Sequence, residues 1–284
     1  MTAQDAPPWA GASIDLDAEW WSGGERVRVF DLAHRMETGM PRHPNHPPYA
    51  FTLTKQHGEV MYPDGISASA ELITTGGHVG THVDALGHVS KHGRIFGGES
   101  VLENQSYAGG LRVGSVELVP PLIGRGHLVD AVALRGRPLE AGEAVTVEDL
   151  EQWFADRPEP SAGSIVLVHT GWEAHWNDFK TFLGQQTGTP GVDAAAGAWL
   201  SARGILAAGG DSMVFEQTDP DNVKLPVHID FLIDHGIYIM EAMRLGVLAK
   251  AKAYEFTFFG LPLRIGGGTG SPLRPIAVID APAS

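Results

Sequence analysis

The chain has 284 residues, with 20 basic and 34 acidic side chains and a formal charge of −14 when histidine is neutral. That balance opposes a nucleic-acid or anionic-membrane partner, because phosphates are repelled rather than neutralised. The absence of cysteine removes disulfide scaffolds, thiolate nucleophiles and sulfur-ligated zinc or iron sites, so any metal has to be held by imidazole and oxygen.

The first fifteen residues carry an acid before any apolar run and lack the basic-then-apolar pattern of a secretory signal. No apolar run reaches the ~18 residues of a membrane span, and a cytoplasmic protein is the expectation. Residues 1–25, with the paired Trp20 and Trp21, read as a loop-like extension ahead of one domain over 26–284. Arg26–Leu32 alternates as a strand. Gly39–Pro48 holds four prolines and is irregular. Tyr49–Lys55 reads as a strand, Ser67–Thr75 as a weaker one, and His127–Ala131 as a short one.

Thr146, with Asp149 three residues on, marks the start of a helix over Val147–Ala155. Ser164–His169 is nearly continuous apolar sequence, as in a strand buried on both faces. Val192–Arg203 is helical in composition and stops at Gly204, ahead of the short apolar Ile205–Ala208. Pro226–His235 has proline at its start and Gly236 at its end, the punctuation of a helix. Ile237–Met240, Ala253–Phe259 and Pro275–Asp280 read as strands. Strands and helices alternate in the second half, which predicts a single α/β domain with a mixed sheet.

Four of the 13 histidines fall within one stretch of 15 residues: His78, His82, His88 and His92. Random placement predicts fewer than one. In a helix, Asp84 would point about 240° away from His78. In a straight strand, His78 and Asp84 would share a face but lie ~20 Å apart, too far to meet one ion. A common site therefore requires a bend, and Gly80 permits one. Two imidazoles and a carboxylate leave positions open for water and substrate. His88 is then a nearby imidazole suited to moving a proton. The competing reading, surface or satisfied core histidines, is the ordinary one for a single histidine and is disfavoured by this density.

The string His78-x-Gly80-Thr81-His82-x-Asp84-x-x-x-His88 resembles the signature of the cyclase family of metal-dependent hydrolases, which includes kynurenine formamidases and isatin hydrolases. Asp31-Leu32 with Gly39-Met40-Pro41, Gly209-Gly210-Asp211, the segment from His228 through Gly236 to Glu241, and Gly267–Pro275 resemble further family landmarks, over roughly residues 26–280. The resemblance implies a swivelling β/β/α-like fold, with a mixed sheet or barrel-like β core flanked by helices, and a homodimer or homotetramer. It implies His78, His82 and Asp84 as ligands and His88 as the catalytic imidazole. It also implies a second metal or outer-sphere role for His228 and Glu241, as in formamidase-like members. The 13-residue separation of that pair is one more than the formamidase subgroup implies, which favours a single manganese or zinc ion and an isatin-hydrolase-like branch.

Other residues carry two readings each. His169 and Trp172 follow a buried strand and either pack or line a substrate pocket. Trp20, Trp21, His43 and His46 either cap a neighbouring subunit's pocket or pack as loops. Asp211 is a pocket acid or a turn residue. Glu241 ends an apolar strand, where a lone buried carboxylate would be costly. No Gly-x-Ser-x-Gly elbow is present, and the Gly266–Gly270 run lacks the lysine and helix of a phosphate loop. The expected function is hydrolysis of a small cyclic or aryl amide, imide or lactone. The alternatives are an arylformamidase with two metals and a non-catalytic metal- or ligand-binding relative.

Overall fold

In chain order the principal strands are β1 (Glu19–Ser22), β2 (Glu25–Asp31), β3 (Ala50–Lys55), β4 (Ala70–Thr74), β5 (His82–Asp84), β6 (Leu122–Asp130), β7 (Ile165–His169), β8 (Ala207–Gly210), β9 (Tyr238–Glu241), β10 (Glu255–Gly260), β11 (Gly270–Pro272) and β12 (Ile276–Asp280). The computed structural model describes the backbone of residues 19–22, 25–220 and 224–280 and the side chains of 27–220 and 224–280. Ten strands form one mixed sheet in the order β1-β2-β12-β10-β6-β7-β8-β9-β5-β11. β6, β7, β8 and β9 run parallel, and the flanking strands are antiparallel. Among the described residues the sheet does not close, since β1 and β11 are its two ends.

The parallel strands are buried on both faces, as a continuous apolar run requires. Alternate residues serve two cores. Leu128, Ile165, Leu167, Ala207 and Met240 join Phe30, Val83 and Phe258 on one side. Val129, Val166, Val168, Ala208 and Ile239 meet Leu150, Trp153, Leu200 and Phe231 on the other. The helices of that second face are α1 (Val147–Phe154), α2 (Ala194–Ser201) and the turn Pro226–His228, which continues as a π-helix over Ile229–His235. Thr146 caps α1 with the reciprocal pair to Asp149. The segment Pro226–His235 is helical over the expected span, but its second part is widened, and a π turn accommodates one extra residue per turn.

Three sequence readings are corrected or extended here. Residues 19–22, read as loop, form the edge strand β1 paired with β2. The side chains of Trp20 and Trp21 lie outside the described residues. β3 and β4 form where expected, but as an isolated hairpin outside the main sheet, exposed along nearly its whole length. The short strand expected at 127–131 is a nine-residue strand, β6. No described helix is long and apolar enough to cross a membrane.

Thr146→Ala removes the hydroxyl that accepts from the Asp149 amide. We expect a loss of about 1 kcal/mol in unfolding free energy, read as a lower denaturant midpoint at unchanged slope.

Candidate metal centre

The bend that the spacing demanded is present. Gly80 sits at φ +71°, and the chain then enters β5. β5 places His82 and Asp84 on one side, while the turn folds His78 back until its Nδ1 is 2.7 Å from Asp84 Oδ1. Thr81 fastens the turn by donating its hydroxyl to Ala242 O at 2.6 Å. On the far side, His78 Nε2 is 2.9 Å from Thr269 Oγ1. Gly270 follows, and a Cβ there would lie 2.4 Å from His78 Cε1. The glycine-rich close of the chain is thus a wall against which His78 rests.

β9 lies antiparallel to β5 and pairs Glu241 with His82. His82 Nε2 is 3.4 Å from Asp84 Oδ1 and 3.4 Å from Glu241 Oε2. His228 Nε2 is 3.6 Å from Asp84 Oδ2 and 3.4 Å from Glu241 Oε1. Two three-donor groups result, His78/His82/Asp84 and Asp84/His228/Glu241, and they share Asp84. The 13-residue separation of His228 and Glu241, part of it wound as a π-helix over Ile229–His235, still brings both to Asp84.

Outer hydrogen bonds fix which nitrogen each ring presents. His82 Nδ1 donates to Gly80 O at 2.9 Å, and His228 Nδ1 is 2.5 Å from Glu216 Oε1. In both rings Nε2 is left facing the carboxylates, the orientation that metal-binding histidines take from their second partner. Glu216 is fully buried and also accepts from the Val227 amide at 2.6 Å. Sequence reasoning missed it. Its only signal was an acid twelve residues before His228.

Asp84 has no exposed surface, and its Oδ2 makes no hydrogen bond. Burial raises its pKa, but His88, His78 and His228 outweigh that and hold the carboxyl well below its usual range. Glu241 is likewise held at about 2, burial being overcome by His228 and His82. His82 is raised to about 10 and His228 well above the imidazole range: burial lowers both, and the surrounding carboxylates win. An orphaned buried carboxylate oxygen amid nitrogen and oxygen donors suits a divalent cation.

His88 stacks on His78 with ring centroids 3.8 Å apart, and its Nε2 is 4.0 Å from Asp84 Oδ2. Its side chain is 24% exposed, against 5% or less for His78, His82 and His228. Burial holds its pKa at about 4, so the ring is neutral at pH 7 and able to accept a proton. His46 leans over the same pair, 5.0 Å from the His78 ring and 6.3 Å from that of His88. Among the described residues, His43 meets the ring of His46, 5.9 Å away.

The remaining pocket candidates are placed elsewhere. Trp172 is core rather than pocket wall: it is 4% exposed, packs with Val79, Trp176 and Ala242, and donates its indole N–H to Phe182 O. His169 and Asp211 are buried in a separate cluster with Asp130 and Glu173. A cavity of about 830 Å³ lies beside His34, Trp176, Arg244 and Arg274 and includes none of the centre's donors.

The model of the Cyclase family matches residues 30–217, which include the histidine motif and Glu216. The chain belongs to the Cyclase family. His228 and Glu241 lie beyond the matched segment, so their place in the centre rests on geometry. A kynurenine formamidase from Bacillus cereus is 24% identical over 250 residues, covering 87% of this chain and 95% of the relative. An isatin hydrolase from Roseibium aggregatum is 27% identical over 138 residues, 48% of this chain and about half (52%) of that relative's length. The crystal structure of a novel cyclase superposes with a TM-score of 0.80 at 28% identity and 88% coverage of each chain.

A ligating imidazole has to be unprotonated, whereas His82 and His228 hold protons at neutral pH in the metal-free Cyclase-family chain. Manganese or zinc loading at pH 7 is therefore expected to release protons. Apparent affinity should rise with pH throughout the range below about 10. Calorimetry in buffers of different ionisation enthalpy measures this; proton uptake, or affinity falling as pH rises from 6 to 8, contradicts it.

Proposed function

We propose that this protein is a metal-dependent hydrolase that cleaves or opens a small aryl or cyclic amide at its C–N bond, with lactones as a chemical extension. The observation that carries the reading is the shared carboxylate of Asp84, with donors on both sides and the neutral, partly open imidazole of His88 beside it. His78, His82 and Asp84 would hold one divalent ion, manganese or zinc, and His228 and Glu241 would complete a second position with Asp84. Bound there, the cation supplies Lewis acidity toward the carbonyl oxygen and lowers the pKa of water. His88 Nε2 takes the proton of the attacking water and returns it to the leaving nitrogen. Glu216 and the Gly80 carbonyl keep the ligand rings oriented through the cycle.

Within that class, the completed second donor set favours arylformamide hydrolysis, because the resemblance ties a later His and Glu to formamidase-like members. The isatin-hydrolase-like reading remains the alternative, and a non-catalytic relative would have no use for His88 at this position. Titratable acid released from N-formylkynurenine, isatin and simple lactones, with and without chelator, separates these readings. No release from any of them by metal-loaded protein counts against the hydrolase.

His88→Ala is expected to lower turnover about 10²–10⁴-fold with metal content intact. His82→Ala is expected to lose metal. Elemental analysis alongside rate measurement checks both, and unchanged turnover in the first or full occupancy in the second contradicts the assigned roles.

The hairpin supports a homodimer or higher assembly. Phe51, Leu53, Leu72 and Ile73 are each about half exposed (46–53%), and an isolated two-stranded hairpin is marginal in water. The hairpin also springs from the loop carrying His46 and returns at Thr75 to His78, so a second copy covering it would pack next to the centre. Phe51→Asp with Ile73→Asp should yield a monomer by light scattering coupled to gel filtration; an unchanged assembly, or a monomeric parent, rules this out.

A further inference from the structure

The C-terminal ends of β6, β7 and β8 carry a second group of titratable side chains, and it shares no residue with the Asp84 centre. Asp130 ends β6, His169 ends β7, and Asp211 follows β8. His169 Nδ1 donates to Asp130 Oδ1 at 3.0 Å, which fixes the ring and leaves Nε2 as the free nitrogen. That Nε2 has no hydrogen bond among the described residues; its nearest partner is Asp211 Oδ2 at 3.9 Å. The His169 side chain is 9% exposed and that of Asp211 fully buried.

Both acids are held rigidly. Asp211 accepts from the Thr170 amide and hydroxyl at 3.0 and 2.7 Å and from the Gly171 amide at 2.8 Å. Glu173 Oε2 accepts from the amides of Leu245 and Gly246, so that Oε1 is left over. Gly246 roofs the gap. A Cβ there would come within 2.5 Å of Glu173 Oε1 and 3.7 Å of His169 Nε2, so the space between those two atoms is kept clear of side chains. One donor atom each from His169, Glu173 and Asp211 lies within 4.8 Å of the other two.

We propose that His169, Glu173 and Asp211 form a separate divalent-cation site, with Asp130 as the carboxylate that orients the imidazole. A buried imidazole that gives one N–H to a carboxylate and turns the other nitrogen toward two more is the arrangement of a histidine ligand. Among the described residues, the ion pairs of Asp130 and Asp211 are both to His169. One imidazole then faces three carboxyl groups, a donor set that a divalent cation would complete. Burial and the nearby Asp211 charge push Glu173 up, and the carboxylates raise His169 against its own burial. One imidazole and two carboxylates suit manganese or zinc. The ion would tie the three strand ends to the turn at Glu173 and to the 245–246 loop, a few residues past Glu241, and so act as a structural clamp.

Manganese alone is the probe. Wild type, Glu173→Gln and Gly246→Ala are each equilibrated with Mn²⁺, freed of excess, checked for fold by circular dichroism and counted by elemental analysis. Each variant is expected to hold one equivalent fewer than wild type. His82→Ala tests independence: it should keep an equivalent that the combined His82→Ala/Glu173→Gln chain lacks, and Mn²⁺ should raise the melting temperature of the former only. Equal manganese in wild type and both single variants, including none in all three, overturns the site. Because the readout is a difference between variants, it stands even if the Asp84 centre binds nothing.

Discussion

Asp84 is the constraint around which the rest is arranged. A carboxylate with no exposed surface and one oxygen without a hydrogen bond is tolerated only where positive or proton-bearing groups surround it. Four imidazoles do so here, from the turn before β5, from β5, from the loop after it and from the helix that precedes β9. Three of those elements are fixed by independent contacts. Thr81 ties the turn to Ala242, Glu216 holds the helix start, and β5 is sandwiched between β9 and β11. The chemistry sits at the carboxyl end of the parallel strand β9, where open α/β sheets place their ligands.

The motif was legible because its own contradiction pointed to the answer. Neither helix nor strand could bring His78, His82 and Asp84 together, and the turn at Gly80 does. The capped helix after Thr146 and the two-sided strand at Ile165–His169 were equally readable, since cap and hydrophobic run are local signals. β6 was seen only at its last residues. Gly124 and Gly126 break its β signature, although antiparallel pairing with β10 keeps it extended.

What the sequence concealed is mostly long-range. Glu173 carries no spacing signal and Glu216 only a weak one, and their roles appear once distant segments are folded against them. Residues 267–270 read as a family landmark without a stated reason, and the reason is the close approach of Gly270 to His78. The count of 13 between His228 and Glu241 argued against a second donor set because it departs by one from the formamidase pattern, yet the fold brings both residues to Asp84. The hairpin strands were recognisable, yet their separation from the sheet was not, because a half-buried and an exposed strand can share one alternating pattern.

The hydrogen bond between His78 and Thr269 joins residues 191 apart in the chain. During synthesis, therefore, every nitrogen and oxygen donor is in existence well before the segment that props the first imidazole has been made. Loops this long close late, since their entropy has to be overcome before the contact rewards it. A chain ending before Thr269 and β11 would thus carry all five donors yet lack the Thr269 hydroxyl and the Gly270 wall that hold His78 in place.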